Sequence, residues 1–598
     1  MNKSVFRSRK IRFGIFLSAL LLLIAVVFCK FIYQKQPHQL LQADFDHFLD
    51  ETFIRELQSN PLSLHYLLTD ASAYGISETT PALTPVSSGD VTLLRSRLSD
   101  MRTLLTEFPY EALTPEQQQT YDCLLFLIDN RTALLEYEEL SNPVSPQSGI
   151  QQQLPFLLSE YRFDSRKDMD NYLLLLDSVY PYMESLCTLL QSRISNIPLV
   201  AIQTTAEQCL NFLNTPQEEN ILLVSFNEKL SALEYLDEVE TAIYQMKNRY
   251  RIETEILPAY TLLYELLSEY AESNSDMASE GLSSHPSGKD YYSILAQDAA
   301  SSDLSVPQMK ALLEQYHNNA LVHMKQLAAQ NPELPRLALD CLSAEDTSLY
   351  SALPGDSPEE AIRFLQTNSL RLLPSLNNVE NLCVNIKTVS PCLQQMSAPA
   401  MYLLSPLDSY EEHTVYLNPA FSGNNSYTTL AHETFPGHLC ARVCFLSENP
   451  HPIRALMSFI GWDEGWASLA ELYALNFLDE NPVTEFLCCY EISSLCLYGL
   501  SDIGIHYDGW DEDTTLAFWE GYGVDSATAR QLRSLVVSEP TYYLPYSMGL
   551  VQMLELRRLA TSVPGSVYSE SEFCSALLSF GPMPFPVCEK YLNRIVPD

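Results

Sequence analysis

The chain has 598 residues, 46% of them apolar, which is enough to bury a large core. Its 75 acidic and 35 basic side chains leave a formal net charge of −40. That balance argues against nucleic acid as a partner, because phosphates need a basic surface. Only 19 glycines, among many Leu, Glu, Gln and Ala, favour a mainly helical protein, with the 35 prolines marking helix starts and loops.

The N-terminus carries Lys3, Arg7, Arg9, Lys10 and Arg12, followed by an uncharged run of 17 residues from Phe13 to Cys29. A run of that length is at the lower edge of what spans a hydrocarbon core. The positive flank predicts a cytoplasmic N-terminus and an exported body, hence a single-pass protein of the cell membrane. No small-x-small cleavage site follows, so an uncleaved anchor is expected. Cys29 also lacks the small residue that precedes a lipidated cysteine. Residues 1–36 thus read as a basic tail and one transmembrane helix, and 37–598 as the extracytoplasmic body.

Along the body, amphipathic stretches alternate with Pro/Ser/Asn breaks. "TPEQQQTYDCLLFLIDNRTALLEYEEL" opens on a Thr-Pro cap and continues at helical spacing. "DMDNYLLLLDSVYPYMESLCTLLQSRI" reads as a second long helix, and "TAIYQMKNRYRIETEILPAYTLLYELLSEYAE" as a third, interrupted at Pro258. Residues 273–288 are polar and loop-like, of the kind that is often functional. β-type residues around Val415–Leu417 predict a small strand. The expected architecture is one large α-rich body, with lobes 43–400 and 401–598. The 14 cysteines are scattered through apparent helices without a C-x-x-C pair, so buried thiols are expected; Cys383–Cys392 is the short-range pair to test.

"AHETFPGHLC" (431–440) starts like the zinc motif H-E-x-x-H, but Pro436 stands where the second histidine should fall, and His438 lies six residues after His432. In an unbroken helix six residues turn about 600°, which points His438 away from His432. Pro436 cannot donate to the His432 carbonyl, and Gly437 tolerates unusual dihedrals, so a bulge at 436–437 could return His438 to the same side. On these residues alone, a metal site and two structural histidines both remain open. Glu464 and Glu471, seven apart in "GWDEGWASLAELYAL", share one helix face. Glu464 could supply a third ligand, with a helix-start acid as the plainer alternative.

"HETFPGH", "DEGWASLAE", "SDIGIHYDGW" and "EPTYYLPYSMGLVQMLELR" resemble, in this order, motifs of the bacterial "domain of unknown function 885" family, which is similar to gluzincin-type metallopeptidases. The resemblance extends upstream to "NPLSLHYLLTDASAYGI", "SGIQQQLPFLLSEYRF" and "EGLSSHPSGKDYY", and covers nearly all of residues 43–595. It implies a multi-helix metallopeptidase-like body with a small β element next to the motif helix. It further implies one Zn2+ held by His432, His438 and Glu464, with Glu433 as general base and Glu471 behind a ligand histidine, orienting it. His506 and Tyr546 would stabilise an oxyanion. Two positions depart from the family pattern. Leu439 replaces a second histidine after P-G-H, and Leu535 stands where relatives carry an arginine, for which Arg530 or Arg533 could substitute.

These readings predict a membrane-anchored zinc peptidase acting on a peptide substrate. The alternatives are an inactive protein of the same fold that binds peptides or wall fragments, and a metal-dependent amidase on a non-peptide substrate.

Overall fold

The structure is a computed structural model that describes residues 38–77, 80–342, 357–373, 382–391, 394, 398–421, 426–478, 481–562 and 568–595. The expected N-terminal anchor lies outside the described residues. So does Cys392, the expected partner of Cys383.

The body is mainly helical, and its helix boundaries follow local chemistry. The Thr-Pro cap opens the helix Pro115–Leu134: the Thr114 hydroxyl accepts the Gln117 N–H at 3.2 Å, while the Gln117 side chain accepts the Thr114 N–H at 3.1 Å. The second long stretch divides into Arg166–Asp177 and Val179–Gln191. Pro181 explains the division, since it has no N–H for the Asp177 carbonyl. The third runs as Glu238–Arg251, one π-type turn Ile252–Ile256, and Leu257–Ser273. That turn absorbs Pro258 without ending the helix.

Two large cores form, and they do not divide at residue 400 as the sequence suggested. One joins Phe45, Phe53, Leu127 and Leu365, all before residue 400, with Trp466, Leu550 and Phe573 after it. The other is built from Leu154, Tyr172, Met183, Phe226 and Tyr260, closed by Val389 and Tyr416. The physical reason is that early helices such as His38–Ser59 bury their apolar stripe in a core shared by early and late elements, with Phe45 on the rings of Phe108 and Tyr121 and the same core reaching Trp466 and Phe573. Two described stretches, Arg166–Gln191 and Pro482–Asp508, are long and apolar enough to cross a membrane. Both send side chains into the cores, which is what their apolarity serves here.

The β element is a three-stranded sheet: β1 (Cys383–Thr388), β2 (Ala400–Leu403) and β3 (Glu412–Leu417), in the order β1-β3-β2. β1 runs parallel to the central β3, and β2 antiparallel, with Tyr402 opposite Val415. β2 is therefore an edge strand, and its outer side faces the helix that carries His432. The cysteines whose side chains are described are free thiols, most of them buried in helices.

Candidate metal centre

The helix Ser426–Glu433 carries His432 and Glu433 and stops there; a new helix, His438–Ser447, starts on His438. Across the gap the hydrogen bonding lengthens from four residues to six. The Gly437 N–H donates to the Ala431 carbonyl at 3.0 Å, and the Cys440 N–H to the Thr434 carbonyl at 3.0 Å. The Phe435–Pro436 peptide is cis. Gly437 has φ −73° and ψ −138°, and a Cβ there would stand 1.8 Å from the His432 carbonyl oxygen. Only glycine lets the chain pass so close to the turn it has just left. Phe435 anchors the bulge from one side, fully buried. From the other, the Trp466 indole N–H donates to the Pro436 carbonyl at 2.9 Å. Each of these rings contributes about 2–3 kcal/mol of burial.

The bulge brings the two rings to 4.8 Å between centroids, at 82° to each other. Glu464 comes from the helix Ile460–Phe477. Its Oε2 lies 3.1 Å from His432 Nε2 and 3.5 Å from His438 Nε2. One turn pair later, Glu471 Oε1 lies 2.8 Å from His432 Nδ1. The His432 ring is thus clamped at both nitrogens by carboxylates seven residues apart on one helix face. Among the described residues, His432, His438 and Glu464 are the group that could hold a metal ion, with donor atoms all within 4.8 Å of one another. Their side chains are 12–19% exposed, so the cluster is enclosed but reachable from solvent.

The helix Leu544–Thr561 crosses Ile460–Phe477 at glycines. A Cβ on Gly465 would meet the Gly549 carbonyl carbon at 2.5 Å, and one on Gly549 would meet the Gly461 oxygen at 2.3 Å. This close crossing carries Tyr546 to the His432 ring, 6.3 Å between centroids. Just before it, Thr541 has φ +68°, a left-handed conformation that costs a β-branched residue about 1–3 kcal/mol. Asp502 holds that turn by accepting the Thr541 N–H at 3.1 Å, and is itself held by the Tyr292 hydroxyl at 2.6 Å.

The electrostatics are set by two buried histidines and the carboxylates that meet them. Burial works against the charged form of His432, but hydrogen bonds to Glu464 and Glu471 outweigh it and hold its pKa well above the ordinary value. His438 follows the same balance, with Glu464 the main opposing charge. Burial would raise the pKa of Glu464, yet His438 and then His432 hold it well below the usual carboxylate range. Glu433 Oε2 accepts the backbone N–H of Tyr402 on the β2 edge at 2.7 Å, which fixes its carboxylate beside His432.

His506 is not brought to this cluster, and the oxyanion role expected for it is withdrawn. The ring is fully buried, with Nδ1 accepting the Leu282 N–H at 3.0 Å and Nε2 donating to the Val536 carbonyl at 2.8 Å. No N–H remains for a ligand. His506 instead fastens the polar stretch 273–288 to the turn Gly504–Asp508, helped by the Ser283 hydroxyl on the Ile505 carbonyl at 2.8 Å. His506→Ala is expected to lower the unfolding free energy by about 2–4 kcal/mol, since two buried backbone groups lose their partner. Metal affinity at the His432 cluster should stay unchanged in the same protein, as measured by chelator competition beside denaturant unfolding.

Arg530 and Arg533 are likewise engaged elsewhere. Arg530 pairs with Glu512 at 3.0 Å, and Arg533 donates to the Ser279 carbonyl at 3.0 Å. Leu439 is fully buried in the core.

Three neighbours of the cluster escaped the sequence reading. Glu491, from the helix Pro482–Ile503, is raised to about 8 by burial and by the charge of Glu471. Asp463 is raised to about 7 by burial, against the pull of His438. Tyr542 is raised by burial, by Glu539 and by Glu464, which places a second phenol beside the cluster. The available signal was Tyr542 standing in the same motif as Tyr546, in the turn just before the helix Leu544–Thr561.

Two solved structures share this fold. A candidate lipoprotein from Colwellia psychrerythraea matches 93% of this chain and 99% of its own, with a TM-score of 0.80 at 15% identity. A candidate lipoprotein of unknown function from Shewanella oneidensis matches 91% of this chain and 99% of its own, with a TM-score of 0.59 at 14% identity. A candidate oligoendopeptidase F from Bacillus anthracis aligns at 12% identity over 84% of this chain and 95% of its own, but its TM-score of 0.29 carries no weight. No curated protein matches the sequence. The profile of the family described as "Bacterial protein of unknown function (DUF885)" matches residues 69–592, well over half of the chain, and the chain belongs to that family.

Proposed function

We propose that the protein is a zinc-dependent peptidase anchored in the cell envelope. The observation that carries this reading is the convergence of His432, His438 and Glu464, with Glu433 held alongside. Zinc ligands at 2.0–2.2 Å in a tetrahedron stand about 3.3–3.6 Å apart. The distances from Glu464 to the two histidines, 3.1 and 3.5 Å, are close to that edge. Two imidazoles with one carboxylate suit zinc better than harder cations. Held by these three residues, zinc would supply Lewis-acid chemistry at a substrate carbonyl.

The remaining roles belong to the chain's own groups. Glu433, with one oxygen tied to Tyr402 N–H, keeps the other for taking a proton from the attacking water and passing it to the leaving amine. Glu471 accepts the Nδ1 proton of His432, which would leave Nε2 to hold the metal. Tyr546 has its pKa raised by the Glu464 charge and by burial, so it remains a neutral O–H donor for the developing oxyanion. The basic and apolar N-terminal sequence, together with relatives named as candidate lipoproteins, supports the envelope location.

The test is metal analysis of the full chain purified in detergent. One zinc per chain is expected, and His438→Ala should lose it. A protein without zinc, or one whose peptide hydrolysis persists after chelation, would end this reading.

A further inference from the structure

The helix Glu238–Arg251 buries its Tyr244 and Asn248 side: Tyr244 Oη donates to Asp170 at 3.2 Å, and Asn248 Nδ2 to the Leu222 carbonyl at 3.0 Å. The opposite side is apolar and uncovered. Val239, Ile243, Met246 and Tyr250 are 68, 41, 65 and 62% exposed. They stand at i, i+4, i+7 and i+11, the spacing of a single helical stripe of the kind that packs against another helix.

The charges beside the stripe say what covers it. On one flank lie Glu238 near the start of the helix and Arg249 near its end; on the other lie Glu240 and Lys247 in the same order. Turned antiparallel about a twofold axis between residues 244 and 245, each flank meets its own copy. Glu238 then falls within about 3 Å, measured along the axis, of Arg249 in the second copy, and Glu240 within about 3 Å of Lys247 in the second copy. Both flanks become opposite-charge contacts, and Ile243 packs on Met246 of the second copy across the axis. A parallel arrangement would set like charges against each other. With two acidic and two basic residues on its flanks, this face offers an anionic lipid surface no net electrostatic attraction. In the monomer Glu240 already pairs with Arg166 at 2.8 Å, and Arg249 donates to Gln217 at 3.0 Å, so the flanking side chains are held in place.

We propose that this face is a self-association surface, on which two copies of the chain pair antiparallel through Val239, Ile243, Met246 and Tyr250. The test is sedimentation equilibrium of the full chain in density-matched detergent at tens of micromolar. Wild type is expected at twice the chain mass. Met246→Glu, an exposed position in the monomer, should raise the dimer dissociation constant more than about a hundredfold, because each dimer would bury two unpaired carboxylates. Glu238→Arg should weaken the dimer about tenfold through two like-charge contacts, and Glu238→Arg with Arg249→Glu should restore it. A monomeric wild type, whether or not it floats with anionic vesicles, overturns the proposal. So does a dimer that survives Met246→Glu, which would place the contact elsewhere, or a charge swap that fails to restore pairing. An unchanged unfolding midpoint in each variant shows that the fold is intact.

Discussion

Glu433→Gln is expected to cut peptide hydrolysis by at least about a thousandfold while the protein still carries one zinc per chain. The amide matches the carboxylate in size, and its oxygen can still accept the Tyr402 N–H that holds Glu433 at 2.7 Å. What the variant loses is the ability to take and return a proton. Positioned general acid–base groups contribute about 10²–10⁴-fold, and here one group serves both transfers. The defect should therefore fall on kcat, with KM little changed, because no binding contact is removed. Steady-state rates on a quenched-fluorescent peptide library, paired with metal analysis of the same sample, give both numbers. Full zinc with undiminished turnover would remove Glu433 from the chemistry. Lost zinc would mean that Glu433 has been misread as a bystander to the ligand set.

Much of this arrangement was legible in the sequence because it rests on short-range rules. A proline four residues after His432 must break the helix, since the His432 carbonyl then has no donor, and the helices do end at Glu433 and restart at His438. Glu464 and Glu471 were bound to share a face, and the structure puts both on the His432 ring. What failed was the step from neighbouring motifs to neighbouring residues. His506 stands in a stretch that resembles the family as clearly as the histidine motif does, but its nitrogens serve Leu282 and Val536, and such a partnership across 224 residues leaves no local trace. β2 was missed because its four residues, all apolar, show no period, whereas β1 does alternate Val384 and Ile386 with Asn385 and Lys387, over a run too short to stand out. β2 still matters, since its Tyr402 N–H holds Glu433. The expected boundary near residue 400 failed for a related reason. A helix such as His38–Ser59 shows its apolar stripe in the sequence, but not the distant partner that buries it.

The bulge itself yields the sharpest structural expectation: Gly437→Ala should lower zinc affinity by more than about a hundredfold without touching a ligand. The added Cβ would begin 1.8 Å from the His432 carbonyl oxygen and 2.4 Å from that of Ala431, so backbone has to move by more than an ångström. Backbone on that side belongs to the turn that carries His432, and residue 438 follows directly on the other. Any relief therefore separates the two histidines, whereas Trp466 and the buried Phe435 resist a compensating shift of the bulge. Overpacking of this kind costs about 1–3 kcal/mol of stability. Changes that merely misorient a ligand from behind cost about 10–100-fold in metal affinity, and displacing the ligand's backbone should exceed that. Competition against a chromophoric chelator measures the loss, and denaturant unfolding of the same protein shows whether the fold has survived. Wild-type affinity in a folded Gly437→Ala protein would mean that His438 does not depend on the bulge for its place, and the ligand set would have to be redrawn around His432 and Glu464 alone.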